Sequence, residues 1–163
     1  MRFLEPALRW AAVLAALVLT TLHAAPGAAQ TGTGVAPLVA GNTNTTGVVA
    51  EVVECKRKEG VLTLKVRFRN TTQKDVRFDL IGTRNYDDLY VTAGSKKYFV
   101  LRDSEKTPLA VAVDVFGKVS VNLDPGASWT WWAKYPAPPA DVRSVSYFMP
   151  VGPPLEDIPV SDL

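Results

Sequence analysis

GVLTLKVRFRN, residues 60–70, alternates without a break. Leu62, Leu64, Val66 and Phe68 fall on one side of an extended chain, and Thr63, Lys65, Arg67 and Arg69 fall on the other. The stretch therefore predicts a β-strand with one face in a core and one in water. Before it, VVAEVVECKRKEG (48–60) is rich in β-branched residues and ends in the charged turn Lys58-Glu59-Gly60, which predicts a hairpin with the alternating strand.

The same period continues to the end of the chain. Turn residues Asn70 to Lys74 lead into a short strand over Val76 to Ile81. Leu89 to Thr92 and Lys97 to Leu101 flank Ala93-Gly94-Ser95, a second hairpin signal. Val119, Val121 and Leu123 alternate with Ser120 and Asn122 before the Asp124-Pro125-Gly126 turn. Ser128 to Tyr135 and Val142 to Met149 follow, separated by Pro136, Pro138 and Pro139. Beyond residue 47 no helical period is sustained for more than two turns. Seven to eight short strands spaced about ten residues apart predict an all-β fold, an antiparallel immunoglobulin-like β-sandwich.

The first 29 residues are of a different kind. Arg2 and Arg9 precede a run from Trp10 to Leu22 that is apolar except for Thr20 and Thr21, and Pro26, Gly27, Ala28 and Ala29 follow. This is the layout of a secretory signal peptide over residues 1–29, with cleavage between Ala29 and Gln30. A retained anchor is the alternative, because a spanning helix needs about 20 apolar residues. Pro26 and the small residues favour cleavage, with no stable membrane insertion afterwards. Residues 30–47, rich in Gly, Thr and Asn and aperiodic, are expected to form a flexible leader. The sandwich domain is expected over 48–163.

The chain has 18 Lys and Arg against 16 Asp and Glu; loss of Arg2, Arg9 and Glu5 with the signal leaves a net charge near +1. That balance gives no global reason to expect nucleic acid as a partner. Cys55 is the only cysteine, so no disulfide within the chain is available to an exported domain. Its expected role is that of a small buried hydrophobe on the same face as Val53.

Several segments together resemble small secreted bacterial domains with a telokin-like, immunoglobulin-like sandwich. They are GVLTLKVRFRN, KKYFVLRDSEKTPLA (96–110), LDPG (123–126), YPAPPADV (135–142) and MPVGPPLEDIPV (149–160). The resemblance implies an extracytoplasmic, non-enzymatic module. It brings no catalytic residues with it.

The residues agree with that implication. The only histidine, His23, lies in the signal segment, which removes the usual general base and most zinc sites from the exported part. Asp87 and Asp88 are adjacent and face opposite ways in an extended chain. Asp103 and Glu105 have a spacing open to calcium, but no complete ligand loop surrounds them. No cofactor and no metal are expected. Asn44-Thr45-Thr46 and Asn70-Thr71-Thr72 match the glycosylation sequon, which acts only in a eukaryotic secretory pathway.

What remains is binding. Lys65, Arg67 and Arg69 form a basic stripe on the outward face of one strand, which Lys56 and Arg57 are expected to extend. Alternation puts Trp129, Trp131, Ala133 and Tyr135 on the core side and Trp132 outside with Thr130 and Lys134. Trp132 is the expected anchor for a protein or cell-envelope component, with Phe148 expected to join it. The alternative is a carbohydrate or small ligand stacked on the same ring.

Overall fold

The computed structural model describes residues 34–83 and 85–163. Eleven strands are described: β1 (Val39–Asn42), β2 (Val48–Lys58), β3 (Val61–Asn70), β4 (Val76–Ile81), β5 (Tyr90–Ala93), β6 (Lys96–Tyr98), β7 (Val119–Leu123), β8 (Ser128–Pro136), β9 (Ser144–Phe148), β10 (Leu155–Pro159) and β11 (Ser161–Asp162). The one helical element described is a 3-10 turn over Tyr86–Asp88. The chain is all-β. The expected signal peptide, its expected cleavage position between Ala29 and Gln30 and the start of the expected leader lie outside the described residues.

β3 takes the form its alternation predicts: Leu62, Leu64, Val66 and Phe68 are fully buried, each contributing about 1.5–3 kcal/mol relative to exposure. Glu59 and Gly60 both have positive φ, 49° and 80°, so β2 and β3 are joined by the two-residue turn that matches the natural twist of a strand pair. β8 runs antiparallel on the other side of β3, with Lys65 opposite Trp132 and Val66 opposite Trp131. The sheet order is β1-β2-β3-β8, and β11 adds in parallel to the end of β2. A second sheet has the order β10-β9-β5-β6, and β4 pairs with β7. One core cluster takes residues from all three, including Trp131, Tyr135 and Tyr147.

Three expectations are corrected here. The strand count exceeds seven to eight because β1, β10 and β11 lack the β-branched alternation that marks strands in the sequence. β1, Val-Ala-Gly-Asn, falls within the expected leader, yet it pairs with β2 from Val39–Val52 to Asn42–Val49. A Cβ at Gly41 would stand 2.6 Å from Leu155 Cδ2, so glycine is what lets β1 approach β10. β10 is masked in the sequence by flanking prolines, and its pairing with β9 is interrupted between Leu155 and Ile158, where Asp157 has φ 54°.

The third correction concerns β2. Its register with β3 shifts between Val52 and Glu54, leaving Val53 as a bulge residue. Before the bulge, Val48, Ala50 and Val52 face the core; after it, Cys55 and Arg57 do, opposite Leu64 and Leu62. Cys55 is therefore in phase with Val52 rather than Val53. Burial pushes its thiol up to about 12, partly offset by the Arg57 charge.

Candidate functional site

The outward face of the β1-β2-β3-β8 sheet is a lattice of paired rows. One row runs Trp132, Lys65, Glu54 across β8, β3 and β2; the rows beside it run Lys134, Thr63, Lys56 and Thr130, Arg67, Glu51. Trp132 is 39% exposed, whereas Trp131 on the next position is fully buried. The ring stands in water because its neighbours on the same strand face the core.

The basic stripe is ordered by two carboxylates. Glu51 is clamped by Arg67, Nε to Oε2 at 2.6 Å, and by Arg69, Nη2 to Oε1 at 2.6 Å. Burial pushes the Glu51 carboxyl up, but the hydrogen bonds and charges of Arg69 and Arg67 outweigh it and hold it below the usual range. Glu54 lies 3.3 Å from both Lys65 and Lys56. Lys58 and Lys134 have no carboxylate partner among the described residues. They line a cleft of about 240 Å³ with Glu59, Val61 and Thr63 at the hairpin end of the face. Six cations, Lys56, Lys58, Lys65, Arg67, Arg69 and Lys134, thus share this face with Glu51 and Glu54 and, at its hairpin end, with Glu59.

Arg57 does not extend the stripe. The bulge at Val53 turns it inward, where its guanidinium donates to the carbonyls of Pro138, Pro139 and Ala140 and to Asp162. It fastens the proline-rich loop and the end of the chain to β2. Lys56, its neighbour, stays outside.

Phe148 does not join Trp132 either. It stands on β9 in the other sheet, stacked on Tyr90 of β5 with centroids 4.7 Å apart and planes 9° apart. Phe99 lies 6.0 Å from Tyr90, and the Lys97 ammonium sits 4.2 Å from the Tyr90 centroid. Alternation assigns Phe148 the outward side of its own strand. Which sheet that strand joins is fixed by pairing with β5 and β10, a long-range property.

Two of the acids singled out in the sequence, Asp103 and Asp87, are engaged by neighbouring residues. Asp103 Oδ1 accepts the backbone N–H groups of Glu105 and Thr107, closing a turn. Asp87 and Asp88 sit in the 3-10 turn rather than in extended chain, and Asp87 lies 3.9 Å from Arg102. Asn70, of the second sequon, is buried: its amide donates to the Lys74, Leu123 and Asp124 carbonyls and its Oδ1 accepts from Thr72. Asn44 is exposed.

The fold and this face define an all-β protein of mainly antiparallel sheets that presents one exposed indole within a cation-rich strand surface. No family model matches the chain, and no curated protein matches it. A solved structure described as a functionally unknown protein from Listeria monocytogenes EGD-e aligns with 68% of this chain and 72% of its own length, at 11% identity and a TM-score of 0.33. A likeness at that level carries no argument about fold or function.

Proposed function

We propose that this protein is an exported, non-enzymatic binding module of the cell envelope, secreted or periplasmic, built as an immunoglobulin-like sandwich of the telokin-like kind. Its Trp132 face docks an anionic protein or envelope component. The observation that carries this reading is the exposure of Trp132 directly opposite Lys65 and beside Lys134. An aromatic ring supplies contact area at low entropy loss, and the surrounding cations select a partner of negative charge. The lack of any histidine between residues 30 and 163 supports binding over catalysis.

The test is affinity capture from the envelope fraction of the producing cell, with the wild type beside Trp132→Ala and Lys65→Glu/Lys134→Glu. The wild type is expected to retain a partner that the variants lose; a buried interfacial Trp contributes about 2 kcal/mol or more, roughly 30-fold in affinity. Equal recovery by all three proteins overturns the reading.

A carbohydrate reading has its own support in the Thr63 and Thr130 hydroxyls near the ring. Salt separates the two: binding of an anionic partner weakens as ionic strength rises, and stacking of a neutral sugar does not.

A further inference from the structure

The β5–β6 hairpin turns on Gly94 and Ser95, with Gly94 at φ 57° and Ala93 opposite Lys96 as its closing pair. In a two-residue hairpin the closing pair exchanges both backbone bonds, so the next pair, Thr92 and Lys97, exchanges none. The Lys97 N–H and C=O therefore point away from β5. β6 is the last strand of its sheet among the described residues, so these groups face an open edge.

A groove of about 500 Å³ runs beside this edge. The segment from Lys96 to Arg102 forms one wall, and Pro136 and Ala137 form the other. Phe99, 44% exposed, lies within it. Lys96, Lys97 and Arg102 line the groove, and no acidic residue does. Aromatic rings rather than carboxylates hold the two ammonium groups, Lys96 over Tyr98 at 5.1 Å and Lys97 over Tyr90 at 4.2 Å. Arg102 donates to the Lys106 carbonyl at 3.2 Å, and its carboxylate contact is the long one with Asp87, 3.9 Å.

An open backbone edge, an apolar wall and a wholly cationic rim coincide. From this we infer that β6 takes up an extended acidic peptide as an added strand. The backbone of the peptide pairs with Lys97; its apolar side chains cover Phe99 on one face, and its carboxylates meet Lys96 on the other, within a groove that Lys97 and Arg102 also line. A second copy of this chain is disfavoured at the same edge, because pairing β6 with itself sets Lys96 and Lys97 against like charges. The site is separate from the Trp132 face and does not depend on it.

The test uses ¹⁵N-labelled protein purified after export and titrated with a capped hexapeptide of alternating valine and glutamate. The expected result is movement of the Lys97 and Phe99 amide signals. Binding is expected to weaken tenfold or more in Lys96→Glu/Lys97→Glu and to persist unchanged in Trp132→Ala. Three control ligands accompany it: the valine–lysine peptide, the acidic peptide N-methylated at alternate residues, and a galacturonate hexamer. None is expected to match the acidic peptide. Absence of shifts at Lys97 and Phe99, or equal binding by any control ligand, overturns the proposal. So does concentration-dependent self-association through the β6 edge. The N-methylated peptide separates backbone pairing from charge attraction and needs no variant to fold.

Discussion

The Arg57 guanidinium meets the Asp162 carboxylate through two hydrogen bonds, Nε to Oδ1 at 2.6 Å and Nη2 to Oδ2 at 3.1 Å. The two residues lie 105 positions apart, and the bond ties β2 to the last residues of the chain. The hydrogen bond from Arg57 holds the Asp162 carboxyl below its usual range, with burial opposing it. A carboxyl with a depressed folded-state pKa contributes stability that is present above its unfolded pKa and is lost as pH falls through the folded value. Asp162→Asn is therefore expected to unfold more readily at neutral pH and to lose part of the wild-type dependence on acid. Arg57→Met is expected to be more harmful, since it also deprives the Pro138 and Ala140 carbonyls of their donor. Urea midpoints measured from pH 7 to pH 3 check both; a variant with an unchanged acid limb would mean that the pair is not formed in solution.

Glu51 organises the outward face by the same rule. Its carboxyl is depressed when folded, so its contribution is full above the ordinary carboxylate range and fades as pH falls below it. Glu51→Gln is expected to cost about 1–2 kcal/mol at pH 7, between the roughly 0–1 of an exposed pair and the 3–5 of a fully buried one. The reason is that Glu51 is buried while Arg69 is 43% exposed. Denaturant unfolding at pH 7 and pH 3 should show a gap between variant and wild type that narrows in acid.

Three polar atoms meet in the core without a well-formed hydrogen bond: Trp131 Nε1, Tyr135 Oη and Tyr147 Oη. A hydroxyl buried without a partner is a burden rather than a gain, so Tyr147→Phe is expected to be neutral or stabilising by up to about 1 kcal/mol. Removing the ring is another matter; Trp131→Ala is expected to cost about 3–5 kcal/mol. Thermal and urea unfolding of the two variants distinguish hydroxyl from ring. A loss of more than 1 kcal/mol in Tyr147→Phe would reveal a hydrogen-bonding partner.

The two sequons are expected to behave differently. The Asn70 amide is committed to three backbone carbonyls inside the fold, whereas Asn44 is exposed. Secreted from a glycosylating eukaryotic host, the folded protein is expected to carry glycan at Asn44 and to lack it at Asn70, as intact mass and peptide mapping would show. Asn70→Ala is expected to destabilise by about 1–3 kcal/mol, because it strands buried acceptors.

Much of this molecule is local. The alternation of residues 60–70 and the outward phase of Trp132 follow from side chains pointing to opposite faces at successive positions, and the turn at Lys58-Glu59-Gly60 follows from its glycine and charged residues. The β-branched and turn chemistry of the chain likewise marks β2 to β9 as strands. None of this requires knowing what each strand pairs with.

Partnership between strands is a matter of long-range packing. The bulge at Val53 arises in the pairing of β2 with β3, and it moves Arg57 from the basic stripe to the inner clamp. Phe148 reaches Tyr90 instead of Trp132 because β9 joins β5. Val39–Asn42 becomes a strand because the edge of β2 offers it hydrogen bonds and Gly41 fits against Leu155. Alternation is written residue by residue, but sheet membership and register depend on contacts between distant segments. The sequence alone therefore determined that this protein is built of strands and that Trp132 faces outward, and long-range pairing decided which residues stand beside it.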